Sequence, residues 1–171
     1  SRLDPAKLGW LNQQYLKSDD PVEVGKHLEW HLQQHGYDLA TGPTPTDLVI
    51  ALRDRVQTLK DMAERAAVWF RPLEHYDDAA VAKHLVPGAR APLAAVREQL
   101  AALDDWTVES VHGALQATAE ALALGLGKIA QPLRVAITGT QVSPSIDHTV
   151  CLGGRDAALE RIDAALARIP G

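Results

Sequence analysis

Residues 128–150, KIAQPLRVAITGTQVSPSIDHTV, carry the most informative helix-ending signals in the chain. We expect Gln131-Pro132 to interrupt a first helix, because proline lacks the backbone N–H and its ring clashes with the preceding turn. Thr138-Gly139-Thr140 predicts the end of the resumed helix, with Gly139 in the left-handed conformation. Ser143-Pro144 predicts a new helix, with serine as N-cap and proline in the first helical position.

Between these two helices the sequence predicts a polar corner, residues 139–143, with two helix ends directed into it. Helix ends carry unpaired backbone N–H groups that can bind an anion or a base. Arg134 lies close by in sequence. The simpler interpretation is an ordinary helix–loop–helix, because proline and glycine are common at helix boundaries. The local sequence leaves both interpretations open.

Helical periodicity continues through the rest of the chain. Apolar residues recur three or four positions apart, and alternation with a period of two is nowhere sustained. We therefore predict an all-α fold. The predicted helix starts are Asp4-Pro5, Asp20-Pro21, Thr44-Pro45, Thr58, Asp77-Asp78 and Thr107, and a last helix spans residues 155–169.

The helical pattern is interrupted most clearly in the segment 71–78, RPLEHYDD. It predicts a first helical lobe at residues 1–72 and a second, C-terminal helical lobe at residues 73–171. The 171 residues are enough for one compact domain or for two small ones. A single continuous helical domain is the alternative.

Composition places the chain among globular proteins, with 46% hydrophobic and 23% charged residues. It has no apolar run of membrane-spanning length and no secretion leader. The single Cys151 excludes an internal disulfide framework and fits a reducing, cytoplasmic setting. Because the chain opens with Ser1 rather than methionine, we expect a piece of a longer protein.

The net charge of −5 differs from that of a typical nucleic-acid-binding domain, which is basic overall or carries a basic stripe. If this chain binds RNA, the contact must be local.

No motif for catalysis or for metal binding is found in the sequence. The histidines His27, His31 and His35 share one helix face, but a zinc site requires three or four convergent ligands. Nucleophile, phosphate-binding and dinucleotide-binding motifs are absent. We therefore predict no catalytic residue, no metal site and no cofactor in this chain.

The string AQPLRVAITGTQVSPSIDHTV, followed by LGGRDAALERIDAAL, resembles the C-terminal end of bacterial glutamyl-tRNA synthetases, which are class I aminoacyl-tRNA synthetases. LDPAKLGWLNQQYLK, residues 3–17, resembles the segment with which these enzymes leave their catalytic core. LRDRVQTLKDM, residues 52–62, and Trp106-Thr107 resemble further motifs of the family. The resemblance is colinear over nearly all of the chain.

This resemblance implies the α-helical, C-terminal anticodon-binding region of a ligase that attaches glutamate to tRNA using ATP. The ATP motifs, with the Mg that accompanies ATP, belong to an N-terminal catalytic domain that is missing here, so we expect the fragment to be inactive alone. The implied partners are tRNA-Glu and that catalytic domain in the same chain. We also expect a cytoplasmic monomer without membrane association.

The resemblance also implies individual site residues. Arg55 matches the position at which members selective for tRNA-Glu carry an arginine against the third anticodon base; its fork can donate two hydrogen bonds to a base edge. Arg134, Ser143 and Ile146 match positions that contact anticodon bases. The alternative for Arg55 is an ion pair with Asp54 or with a carboxylate of a neighbouring helix. We expect Arg55 and the polar corner to converge on one groove.

The basic residues Arg53, Lys60 and Lys128 are candidates for phosphate contacts, although basic residues on exposed helix faces are usually only solvated.

The sequence leaves two other functions open. One is a helical scaffold that holds a partner helix in an apolar groove and has no RNA role. The other is a non-discriminating synthetase that also charges tRNA-Gln, which Arg55 disfavours.

Overall fold

The computed structural model describes residues 14–171, and these residues form helices without any β-strand, as predicted. The chain divides between Pro72 and Leu73 into two compact units. No helix in the described part is long and apolar enough to span a membrane. The predicted helix at Asp4-Pro5 begins outside the described residues.

The first unit contains a helical stretch at residues 14–18 and four further helices. The predicted N-caps are confirmed, because the side chains of Asp20, Thr44 and Thr58 each accept a backbone N–H from the first turn of the helix that follows. The four helices are α1 (Pro21–Gln34), α2 (Pro45–Leu52), α3 (Leu59–Arg65) and α4 (Ala67–Phe70).

The core of the first unit lies where α1 packs against α2 and α3. Leu28, Leu32 and Leu48 are completely buried there. Gly25 allows α1 to approach α2 closely, since a Cβ at this position would lie 3.1 Å from the backbone nitrogen of Thr46. Val56, in the turn between α2 and α3, is also buried.

The second unit contains six α-helices and one 3₁₀ turn among its residues. Its core is a continuous cluster from Tyr76 to Ile169, to which every one of these helices contributes. Thr107 forms a capping box with Ser110, as the two side chains accept each other's backbone N–H. The elements are α5 (Asp78–His84), the 3₁₀ turn Pro87–Ala89, α6 (Arg90–Ala101), α7 (Val108–Leu122), α8 (Leu126–Thr138), α9 (Ile146–Leu152) and α10 (Arg155–Arg168).

The predicted interruption at Gln131-Pro132 is wrong, because α8 continues through Pro132 without a break. An interior proline costs about 3 kcal/mol through the lost hydrogen bond and the clash of its ring. Burial offsets this cost, since Ile129 and Leu133 are completely buried beside the buried ring of Pro132. Each such side chain contributes about 1.5 to 3 kcal/mol. Tertiary packing therefore overrides the local signal.

The predicted end of α8 is confirmed, and the predicted start of α9 is wrong. Gly139 follows the last residue of α8 in the left-handed conformation, with φ of +76°. However, α9 begins at Ile146, and the residue at its N-cap is Ser145 rather than Ser143. Ser143 and Pro144 lie in the loop, because the Ser143 hydroxyl is engaged by other side chains instead of by a helix N-terminus.

Candidate nucleic-acid interface

Arg134 and Ser143 meet across the polar corner. The Arg134 Nε donates a hydrogen bond to the Ser143 Oγ at 2.7 Å, and both side chains are partly buried. Arg134 is positioned by α8, whereas Ser143 lies in the loop that leads to α9. The structure thus brings together two of the residues that the sequence predicted to bind bases.

A buried threonine contacts the Ser143 side chain of this pair. The Thr149 side chain is completely buried, and its Oγ1 lies 3.0 Å from the Ser143 Oγ and 3.0 Å from the carbonyl oxygen of Pro144. The Ser143 Oγ also lies 2.8 Å from the Pro144 carbonyl oxygen, so Ser143 accepts from Arg134 while the Ser143 and Thr149 hydroxyls are both within hydrogen-bond distance of that carbonyl and of each other. Such a network fixes the rotamer of every member.

Thr149 was not predicted as a site residue. A signal was present in the sequence, since Thr149 lies three residues after Ile146 and one before Val150, on the face of α9 that is otherwise apolar. A polar residue on a buried face must find a hydrogen-bond partner inside the protein.

The backbone N–H groups of Gly139 and Thr140 in the polar corner are engaged within the chain, and that of Gly139 donates to the Val135 carbonyl at 2.8 Å. The end of α8 that enters it is a carbonyl end, and the backbone N–H of Thr140 donates to the Thr138 Oγ1 at 3.2 Å. The Thr140 hydroxyl in turn donates to the Val142 carbonyl at 3.0 Å. Residues 140–142 are nevertheless exposed, so this part of the corner is open to a ligand through its side chains and carbonyl groups.

Ile146 is the first residue of α9, and only 8% of its surface is exposed because its side chain joins the hydrophobic core. The apolar contact that was predicted here can therefore use only an edge of the side chain. The main effect of Ile146 in this structure is to anchor the start of α9 beneath the polar corner.

Asp147 stabilises the same helix start. Its Oδ1 accepts hydrogen bonds from the Ser145 Oγ at 2.6 Å and from the His148 backbone N–H at 2.8 Å, while its Oδ2 lies 3.7 Å from the His112 Nδ1. Partial burial alone would raise the pKa of Asp147. The two hydrogen bonds, with the charges of His148 and His112, outweigh burial and lower that pKa below its ordinary value.

Arg55 lies in the first unit, in the turn between α2 and α3. Its side chain is exposed, while its backbone N–H donates to the Leu52 carbonyl at 2.9 Å. Among the residues that the structure describes, the guanidinium forms no ion pair, so the alternative pairing with Asp54 is not observed there. The guanidinium group of Arg55 is therefore exposed on a short turn whose backbone is hydrogen-bonded.

The three candidate phosphate contacts differ from one another. The Arg53 Nε and Nη2 donate to the carbonyl oxygens of Leu16 and Asp19 at 2.7 and 2.6 Å, so this side chain clamps the end of the helical stretch 14–18. Lys60, in the first turn of α3, and Lys128, in the first turn of α8, are both exposed.

The histidines within α1 and directly after it pack against aromatic rings. His27 meets Tyr15 edge to face, and His35 stacks on Tyr37 with ring centroids 5.0 Å apart. Over residues 14–171, no group of His, Cys, Asp and Glu side chains is arranged to hold a metal ion.

Residues 23–166 match the family model described as the anticodon binding domain. This match spans most of the chain, which therefore belongs to the anticodon binding domain family. The chain is also 63% identical over 169 residues to the glutamate–tRNA ligase of Xanthomonas campestris pv. campestris (strain B100), and 61% identical to that of Xylella fastidiosa (strain M23). The resemblance recognised in the sequence is confirmed.

The chain aligns over 99% of its own length with these relatives but spans only 36% of theirs. The fold agrees with a solved structure of a glutamate tRNA ligase from Elizabethkingia meningosepticum, with a TM-score of 0.83 at 22% identity. That comparison covers 98% of this chain and 33% of the solved one.

Proposed function

We propose that this chain recognises the anticodon of tRNA-Glu as the C-terminal part of a glutamate–tRNA ligase. The observation that carries the proposal is the 63% identity, over 99% of the chain, to a protein named glutamate–tRNA ligase. In this proposal the chain contributes RNA binding. The joining of glutamate to tRNA, with ATP and Mg, belongs to a catalytic domain that this chain does not include.

Arg55 is the proposed reader of the third anticodon base. Sequence-specific RNA recognition generally targets unstacked bases, which present their hydrogen-bonding edges to side chains. The exposed guanidinium of Arg55 is accessible to such a base edge, because Arg55 lies in a surface turn whose backbone is hydrogen-bonded. An arginine at this position favours an enzyme selective for tRNA-Glu over one that also charges tRNA-Gln.

Arg134 and Ser143 are the proposed contacts to a second anticodon base. Because the Ser143 Oγ already holds the Arg134 Nε, the guanidinium plane is oriented before RNA arrives. Pre-oriented side chains lose less conformational entropy on binding, which favours affinity. Ile146 is the proposed apolar contact, through the edge that it exposes.

We assign residues 73–171 as the anticodon-binding lobe and residues 1–72 as the connection to the catalytic core and the start of the anticodon-binding region. The division of the described chain between Pro72 and Leu73 supports this assignment. We further propose that the protein acts in the cytoplasm as a monomer.

The proposal is tested by titrating the chain with tRNA-Glu and tRNA-Gln over a range of salt concentrations. We expect preference for tRNA-Glu, and an affinity whose log–log slope against salt is about −0.7 for each phosphate contact to single-stranded RNA. Equal affinity for every tRNA at all salt concentrations would overturn anticodon recognition and favour the helical scaffold. Equal affinity for these two tRNAs alone would indicate a non-discriminating enzyme.

A further inference from the structure

A cleft of about 600 Å³ opens in the second unit between the end of α5, the 3₁₀ turn and the start of α8. Its volume lies within the range of small-molecule binding sites. None of the described residues that line it is an aspartate or a glutamate, although the chain as a whole is acidic. The residues that line it include Lys83, His84, Val86, Leu124, Lys128 and Pro132.

The cations of the second unit are distributed unequally. Residues 73–171 contain six arginines and two lysines. Every arginine engages a partner within the unit: Arg90, Arg155 and Arg161 donate to main-chain carbonyl groups, Arg97 pairs with Asp163, Arg134 binds Ser143, and Arg168 lies over the Tyr76 ring.

The two lysines, Lys83 and Lys128, form no side-chain hydrogen bond or ion pair with any residue that the structure describes, and both line the cleft. The two lysine charges that have no partner within the described unit therefore both lie at the cleft. A ligand with a negative charge is the chemistry that this arrangement fits.

The walls of the cleft are apolar. Val86 and Leu124 each expose 38% of their surface. Pro132 and Ala89 also line the cleft, although both are largely buried. A ligand that fills the cleft should therefore combine an anionic group with a flat or apolar group.

The cleft adjoins the polar corner. The His84 side chain lines the cleft, and its Nε2 lies within hydrogen-bond distance, 3.2 Å, of the Gln141 Oε1 in the corner. Gln131 of the cleft and Arg134 of the corner lie three residues apart on α8, and residues at this spacing are neighbours on one side of a helix. A single strand bound at the corner can therefore continue into the cleft.

We propose that this cleft binds a nucleotide next to the anticodon in the tRNA loop, with its phosphate paired to Lys83 and Lys128 and its base against Val86 and Leu124. The inference rests on the proposed function and extends it to a nucleotide beyond the anticodon bases proposed for Arg55, Arg134, Ser143 and Ile146. An acidic partner helix would satisfy the same charges, but continuity with the corner favours RNA.

The test is an NMR titration of the ¹⁵N-labelled chain with a short RNA hairpin that carries the tRNA-Glu anticodon loop. This measurement detects weak binding. We expect amide shifts both at residues 139–143 and around the cleft, at 83–89 and 124–128. Lys83→Ala and Lys128→Ala should each weaken binding about threefold and reduce the salt slope by about 0.7. Leu124→Ser should weaken binding without changing the salt slope.

Arg97→Ala is the matched control, because it removes one positive charge from the same unit outside the cleft and should leave binding nearly unchanged. Shifts at residues 139–143 without shifts at the cleft would overturn this inference and leave anticodon recognition standing. No shifts at either place would overturn both. Stronger shifts at the cleft with an acidic amphipathic peptide than with RNA would assign the cleft to a protein partner and overturn the inference.

Discussion

The Arg134 Nε lies 2.7 Å from the Ser143 Oγ, and this hydrogen bond joins α8 to the loop before α9. The serine hydroxyl that would otherwise cap a helix is used to orient an arginine. The buried Thr149 completes the arrangement through its 3.0 Å contact with Ser143. The consequences of this network are measurable.

Thr149→Val tests the network from its buried end. Valine has nearly the same shape, but it leaves the Ser143 hydroxyl and the Pro144 carbonyl without the Thr149 hydroxyl. We expect the free energy of unfolding to fall by about 0.5 to 1.5 kcal/mol, measured by urea unfolding, because the Ser143 Oγ can still donate to the Pro144 carbonyl at 2.8 Å. Affinity for the anticodon hairpin should also fall, because Arg134 loses its fixed orientation.

Thr118→Val is the matched control. Thr118 is equally buried, but its hydroxyl donates within α7 to the Ala114 carbonyl. We expect this variant to leave hairpin affinity unchanged, measured by fluorescence anisotropy. If both variants weaken RNA binding equally, Thr149 has no specific positioning role.

Arg55→Gln tests the reading of the third anticodon base. A bidentate arginine–base contact discriminates by about 1 to 3 kcal/mol, so we expect the preference for the tRNA-Glu hairpin over a tRNA-Gln hairpin to fall at least about fivefold. Stability should change by less than about 0.5 kcal/mol, because the Arg55 side chain is exposed. Binding competition between the two hairpins measures the preference.

Arg65→Gln removes an equivalent charge from the first unit. Arg65 is exposed on α3 and lies 3.5 Å from Asp61. Its loss should reduce affinity for both hairpins to a similar, small extent. If Arg65→Gln reduced the preference for the tRNA-Glu hairpin as much as Arg55→Gln does, that preference would depend on positive charge and not on a contact between Arg55 and the base.

Gly139→Ala tests the turn that ends α8. Alanine disfavours the left-handed φ of +76° by about 1 to 2 kcal/mol, and its Cβ would lie 2.5 Å from the carbonyl oxygen of His75. We expect a loss of more than about 2 kcal/mol in urea unfolding. Gly36→Ala has a similar φ of +73° but no atom within 4 Å of the added Cβ, so it should lose only about 1 kcal/mol.

Asp147→Asn tests the carboxylate at the start of α9. Because the pKa of Asp147 is lowered in the folded state, its ionised form stabilises the fold above the ordinary aspartate pKa, near 3.9, and this stabilisation is lost as pH falls through the lower folded value. We expect the variant to have a lower urea midpoint than the parent at pH 7. The difference should shrink as pH falls below about 4.

Asp104→Asn is the control for this pH series. Asp104 is exposed in the turn after α6, and its side chain makes no hydrogen bond or ion pair with the residues described. We expect a much smaller difference from the parent at pH 7. If the difference in urea midpoint between Asp147→Asn and the parent grew as pH falls, this result would contradict a stabilising role for the ionised Asp147 carboxylate.

The sequence alone determined the all-helical fold, the N-caps at Asp20, Thr44 and Thr58, and the family. Caps depend on a side chain and the backbone only two or three residues away, so their signal is local. The left-handed conformation of Gly139 has a local signal too, because a residue without a Cβ adopts a positive φ at little steric cost. The family was recognised because several motifs occur in a fixed order.

Only the tertiary structure decided the path of the chain at Pro132, the use of Ser143 and the role of Thr149. A proline inside a helix persists when buried neighbours compensate for the lost hydrogen bond, and that burial involves residues distant in sequence. Likewise, Ser143 serves Arg134 and Thr149 rather than a helix N-terminus because three segments of the chain meet there. Which partner a polar side chain takes depends on long-range packing, and no local pattern encodes it.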